Sequence, residues 1–199
     1  KMLLANIEPL MLASLLYLGA GTGLAAYHFL SKATGTADRE APLLKADLPW
    51  LGAAVAAGGI IAPVLLMFGL AGMPASGASL LLNAEGVFTA LLAWFVFKEN
   101  FDRRIALGML AIVAGALVLS WPGDAQFGIL WPALAVLGAC LSWGIDNNLT
   151  RKVSLADASW VAMVKGLAAG SVNLVIALAL GASLPPAACR HAGRVGRAG

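Results

Sequence analysis

The residues of this chain best suited to chemistry lie inside apolar stretches. Glu85 falls in LLLNAEGVFTALLAWFVF and Lys165 in SWVAMVKGLAAG. A charge at the centre of a bilayer costs about 2.5–3.5 kcal/mol on insertion scales, so it is retained where it is paired, protonated or turned towards a polar cavity. Glu85 is therefore a candidate to carry a proton or contact a substrate, and the bland alternative is a neutral or hydrogen-bonded carboxyl that locks two helices together. Thr89 lies one helical turn further on and shares the Glu85 face. Lys165 also has two readings. Its long stem can return the ammonium to the membrane surface, or it can face a cavity as counter-charge to Glu85 or to a substrate carboxylate.

Other polar and aromatic residues form a second rank. Asn83 is two residues from Glu85 and so points to a different side of a regular helix, which favours a role as interhelical glue unless the helix unwinds locally. Asp146, Asn147 and Asn148 precede Arg151 and Lys152. They read first as a polar helix end with local ion pairing and second as a gate. Trp94 and Trp143 lie inside apolar spans, where a substrate can stack on them but where packing is the commoner use of an indole.

Several classes of chemistry find no support. The only histidines are His28 and His191, and there is no H-E-x-x-H, nucleophile elbow or paired-carboxylate cluster. Lys165 as a nucleophile has no base beside it in sequence, so an enzyme is not expected. Cys140 and Cys189 make neither a C-x-x-C nor a disulfide framework, and no cofactor or metal is expected. The run GAGTG over Gly19–Gly23 lacks the spacing, strand and acidic residue of a dinucleotide site. A net charge of +3, with no basic run interleaved with aromatics, gives no nucleic-acid surface.

The elements that must position these residues are membrane helices. Hydrophobic residues make up 60% of the chain and charged residues 12%, with a mean hydropathy of +0.86, against roughly 45–50% and 25% in soluble domains. The expected fold class is all-α, a polytopic transmembrane helix bundle in contact with the lipid bilayer. About 20 apolar residues are needed to span the hydrocarbon, and the spans predicted are Pro9–Leu30, Trp50–Leu70, Ser76–Phe97, Ile105–Trp121, Gly128–Leu149 and Ala158–Leu180. Gly58, Gly59 and Pro63 interrupt the second of these and predict a kink. Lys32, Arg39, Lys45, Lys98, Arg103, Arg104, Arg151 and Lys152 all fall on one side, which the positive-inside rule makes cytoplasmic. Trp50 and Trp160 then mark cytoplasmic helix ends, and Trp121 and Trp131 external ones. Small residues four apart, at Gly19 and Gly23, Ala111 and Gly115, and Gly166 and Gly170, predict close helix packing, or equally a homodimer seam.

Laying KMLLANIEPLMLASLLYLG on KVSLADASWVAMVKGLAAG matches Lys1 with Lys152, Leu4 with Leu155, Ala5 with Ala156, Leu16 with Leu167 and Gly19 with Gly170. An odd number of crossings separates the two segments, so such repeats would be inverted. Inverted repeats with a substrate site at the midplane are the construction of many secondary transporters.

The stretch NAEGVFTALLAWFVFKEN, followed by GMLAIVAGALVL, resembles the EamA-like family of the drug/metabolite transporter superfamily, and CLSWGIDNNLTRKVSLAD with VKGLAAGSVNL resembles the start of its second repeat. The resemblance implies two inverted five-helix repeats with both termini cytoplasmic, of which six helices of ten are expected here. Residues 1–121 would be the first repeat without its first helix, 128–186 the start of the second, and 187–199 an aberrant or disordered tail such as a frameshift would produce. It implies an inner-membrane exporter of small metabolites or drugs working by alternating access. Glu85, Thr89, Lys165, Asn83, Asp146, Trp94 and Trp143 are the candidates for its substrate or ion pathway. The rival expectations are a truncated fragment that transports nothing, and a channel or structural membrane protein.

Overall fold

The computed structural model describes residues 8–35, 43–100, 102–120, 130–153 and 157–183. Among these every regular element is helical: α1 (Pro9–Thr34), α2 (Leu48–Ala54), α3 (Ala62–Gly72), α4 (Ala75–Leu82), α5 (Ala84–Phe95), α6 (Arg103–Ser120), α7 (Leu130–Lys152) and α8 (Ala158–Ala179). A π-helical segment, Val55–Ile61, joins α2 to α3, and α4 runs into α5 through a single turn residue, Asn83. The described residues thus make six rods, as the apolar spans predict. Leu10–Thr34, Lys45–Gly72, Ala75–Phe95 and Ala158–Ala179 are each long and apolar enough to cross a bilayer. α6 and α7, with 18 and 23 residues, are about 27 and 34 Å long at roughly 1.5 Å per residue. Trp121, Arg39 and the tail lie outside the described residues.

Side-chain size is distributed as lipid solvent requires. Phe68, Phe95, Leu107 and Val175 are each more than 65% exposed, whereas alanine is the commonest residue at the buried apolar positions. Without a hydrophobic drive between helices in lipid, small residues that let backbones approach carry the packing. The most extensive contact is α1 against α8. A Cβ at Gly170 would meet the Leu18 backbone nitrogen at 2.8 Å, one at Gly21 would meet the Leu167 nitrogen at 2.8 Å, and one at Gly166 would meet the Tyr17 carbonyl at 3.0 Å. Leu10 clusters with Ala177 and Ala182, while His28 lies 5.0 Å from the Trp160 ring. Residue numbers run in opposite senses along this seam, so α1 and α8 are antiparallel.

The seam corrects part of the glycine reading. Gly166 and Gly170 pack as expected, but their partners on α1 are Gly21 and Leu18, and Gly19, Gly23 and Gly115 have nothing within 4 Å of where a Cβ would lie. Sequence spacing finds the small-residue pairs, yet only the helix rotation decides which of them faces a neighbour.

The interrupted rod has a specific cause. In the π-helical stretch the Ala62 N–H bonds Ala57 O, one residue further back than in an α-helix. Pro63 follows with no N–H at all. Pro63 can donate neither to Gly58 O in π-register nor to Gly59 O in α-register, and side chains reach both: Trp143 Nε1 donates to Gly58 O at 3.0 Å and Asn173 Nδ2 to Gly59 O at 2.5 Å. The kink predicted from Gly58, Gly59 and Pro63 is a register shift fastened to α7 and α8.

The basic loops gather at one end. Leu51, Val153 and Val161 cluster there, Arg151 pairs with Glu99, and the Lys152 ammonium lies 5.6 Å over the Phe97 ring. At that end Asp157 caps α8, accepting from the backbone N–H groups of Ser159 and Trp160 at 2.8 and 3.0 Å, and α1 ends at Gly35 with φ 71° in the left-handed region.

Candidate functional site

α7 is the central rod, touching α2, α3, α4, α5 and the π-helical segment. At about 100° of rotation per residue, its neighbouring residues aim at different compartments. Trp143, Asp146 and Thr150 form one face, turned to the interrupted rod and α8. Cys140, Gly144, Asn147, Asn148 and Arg151 form another, turned to α4 and α5.

On the α5 face, Asn147 Nδ2 donates to Glu85 Oε1 at 3.1 Å and to Thr89 Oγ1 at 3.2 Å. The close approach depends on Gly144, where a Cβ would lie 3.1 Å from the Thr89 nitrogen. Asn148 Nδ2 ties the same turn down through Thr89 O at 2.9 Å and Gly144 O at 2.8 Å. Glu85, Thr89, Trp94 and Asn147 line a cleft of about 1160 Å³ whose rim carries Lys98, Arg103 and Arg104. Glu85 sits roughly 15 Å along the Ala75–Phe95 rod, given about 1.5 Å per residue, which is close to its middle. A half-buried carboxylate with one neutral amide donor, facing a polar cleft, can bind a cationic group or take up a proton.

On the other face, Lys165 Nζ donates to Asp146 Oδ1 at 2.5 Å and to Thr150 Oγ1 at 2.8 Å, and Thr150 Oγ1 donates to Asp146 Oδ1 at 2.9 Å. Asp146 Oδ2 lies over Gly58, where any Cβ would collide with the carboxylate. The backbones of α7 and α8 make little direct contact, so the Lys165 stem bridges a gap. That gap is a cavity of about 190 Å³ lined by Tyr17, Gly58, Trp143, Asp146 and Lys165. A lone buried charge would cost several kcal/mol, and the pairing offsets part of that cost.

The seven expected residues thus divide. Glu85 and Thr89 come together as their spacing predicts, and Trp94 lines their cleft. Lys165 is not the counter-charge of Glu85; its partner is Asp146. Asp146 in turn is not an exposed helix cap paired with Arg151 or Lys152. It is 8% exposed, and those residues, five and six positions on, point away from it to Glu99 and Phe97. Asn83 does not glue helices, because its Nδ2 folds back to Ser79 O at 3.3 Å and Leu80 O at 3.1 Å, filling the break between α4 and α5. Trp143 is a fastener of the π-helical segment.

Sequence reading passed over Tyr17, Thr150 and Asn173 and gave Asn147 no role of its own. Tyr17 and Asn173 are polar residues on otherwise apolar helices, which is a signal in itself, whereas Asn147 and Thr150 are masked by the polar run around them. Asn173 is fully buried, and its Oδ1 has no hydrogen-bond partner.

Comparison with known proteins settles the family. The profile of the EamA-like transporter family matches residues 1–121. The chain belongs to the EamA-like transporter family. Among its relatives is an "Uncharacterized transporter" of Methanothermobacter thermautotrophicus, 30% identical over 195 residues, a match covering 91% of this chain and 56% of the relative. A "Probable amino-acid metabolite efflux pump" of Salmonella typhimurium is 35% identical over 83 residues, 41% of this chain and 28% of that protein. "Purine permease 2" of Arabidopsis thaliana is 37% identical over 62 residues, 31% of this chain and 17% of the plant protein. This EamA-like chain therefore spans little more than half the length of the first of these relatives. No solved structure matches it. A multi-pass membrane protein of a transporter family is what fold and comparison together establish.

Proposed function

We propose that the chain is part of a secondary transporter that exports small metabolites across the plasma membrane by alternating access, without a catalytic step. The observation that carries the reading is Glu85, a carboxylate at mid-rod held by the neutral Asn147 amide and open to a cleft of about 1160 Å³. Intramembrane acids in such positions mark substrate or proton pathways. The relatives named as efflux pump and permease support a small polar cargo. The antiparallel α1 and α8, which carry the two copies of the sequence repeat, support an inverted construction with residues 1–121 and 128–186 in different repeats. The basic end faces the cytoplasm on the positive-inside rule. A homodimer would have to form elsewhere than on Gly21, Gly166 and Gly170, which are used within the chain.

In this reading Glu85 carries the coupling proton. The test is Glu85→Gln in the complete protein, reconstituted in liposomes, with solute flux followed from pH 5.5 to 8. Loss of pH-dependent flux with retained folding is expected. Unchanged flux and pH profile would remove Glu85 from the mechanism.

A further inference from the structure

The second compartment has open hydrogen-bonding capacity of both signs. Asp146 Oδ1 is saturated by Lys165 and Thr150, but Asp146 Oδ2 has no donor among the described residues, and Lys165 Nζ uses two of its three protons. The Tyr17 hydroxyl, also without a partner among the described residues, lines the same cavity of about 190 Å³. Directly beyond, an apolar cavity of about 140 Å³ is lined by Leu10, Pro63, Leu66, Met67 and Leu70. Tyr17 and Trp143 belong to the walls of both. The two together reach the lower end of ligand-pocket volumes, which run from about 300 to 1,000 Å³.

We infer that this paired cavity is a binding site for a small zwitterion with an apolar tail, its ammonium on Asp146, its carboxylate on Lys165 and Tyr17, and its side chain in the apolar half. The inference rests on the transporter reading and narrows its cargo. A ligand carrying both charges can open the Asp146–Lys165 pair and leave neither ion unpaired. A ligand carrying one charge strands the other, and removing one partner of a buried ion pair is strongly unfavourable. An uncharged planar heterocycle gives neither ion a counter-charge. The charges therefore select among the cargo classes that the relatives' names suggest. Asp146 presses on Gly58 and Trp143 is bonded to Gly58 O, so entry between the charges also loads the π-helical joint of the interrupted rod.

The experiment is equilibrium binding to the complete wild-type protein in lipid nanodiscs, read by calorimetry and by Trp143 fluorescence against a Trp143→Phe control. The probes are L-leucine, isoamylamine, 4-methylpentanoate, glycine and adenine. Saturable leucine binding is expected, with isoamylamine and 4-methylpentanoate weaker by about 100-fold or more and glycine weaker by roughly tenfold or more for the lost apolar burial. Lys165→Gln should narrow the gap between leucine and isoamylamine, and Asp146→Asn that between leucine and 4-methylpentanoate. The analogue series on wild-type protein stands even where a variant fails to fold. Leucine binding no better than either single-charge analogue, or adenine binding in its place, overturns the inference. Liposome flux is scored separately, so a protein that moves another solute without binding leucine keeps the transporter reading and loses this one.

Discussion

The π-helical joint makes a quantitative prediction. Asn173 supplies the donor that Pro63 withholds from Gly59 O. Asn173→Leu, with the same branching and number of side-chain non-hydrogen atoms but a larger volume, removes that donor and orphans a buried carbonyl, which costs about 1–3 kcal/mol. The same change deletes Oδ1, a buried acceptor with no partner, and recovers part of that. Interhelical hydrogen bonds inside a membrane average about 0.6 kcal/mol and reach about 1.7, so the net destabilisation should be about 1 kcal/mol. Pro63→Ala restores an N–H one turn beyond Gly59, where α-register closes the bond to Gly59 O without help from α8. In that background the Asn173→Leu cost should shrink, giving a coupling of about 0.5–1.5 kcal/mol in a double-mutant cycle. The assay is reversible unfolding by sodium dodecyl sulfate in mixed micelles, with helix content followed by circular dichroism. A parallel cycle with Trp143→Phe reads whether the restored N–H serves Gly58 O in π-register instead. Additivity within about 0.3 kcal/mol in both cycles would refute the account of the joint as a proline defect repaired by side chains.

Three further expectations follow from close approaches and exposure. Gly58→Ala places a methyl in the Asp146 carboxylate and should lower both folded yield and flux, more than the same change at Gly52, which has open space; equal effects in detergent-solubilised yield would contradict the packing. Gly170→Ala should destabilise by about 1–3 kcal/mol through overpacking against Leu18, while Gly19→Ala, with nothing within 4 Å, should be neutral or stabilising by up to about 1 kcal/mol, both read by the same unfolding assay. Arg151→Ala breaks the ion pair with Glu99, but the arginine side chain is 65% exposed, so stability should change by less than about 1 kcal/mol, and a larger loss in the unfolding midpoint would mean that the pair is shielded from water.

Most of the fold was legible because lipid leaves so few solutions. Every backbone group must be satisfied within the segment, so apolar length alone locates the rods, and Pro63 after two glycines locates the defect in one of them. The basic loops fixed which ends lie together. What the apolar pattern could not carry was rotation about each helix axis. In a soluble helix a hydrophobic stripe reveals the buried face, but Phe68 and Val175 are as apolar as the buried Val136, and the outside of the bundle is as hydrophobic as the inside. That is why Gly19 and Gly23 passed for a seam that Gly21 makes.

The same missing rotation explains the site. Asp146 and Asn147 are adjacent in sequence and read as one polar cap, yet the turn of roughly 100° between them sends one to Lys165 and the other to Glu85, on different faces of α7. Glu85 and Lys165, the two charges that the sequence marks most clearly, could be paired with each other only so long as α7 was ignored. Once α7 stands between them, each charge needs its own partner from that helix, and α7 supplies both from consecutive positions. A helix placed between two charged compartments must be polar on two faces, so it falls short of the hydropathy that marks a lipid-facing span. The departure of α7 from the apolar pattern is therefore itself a sign of where the polar compartments lie, and Asp146–Asn147–Asn148 is better read as a septum than as a helix end.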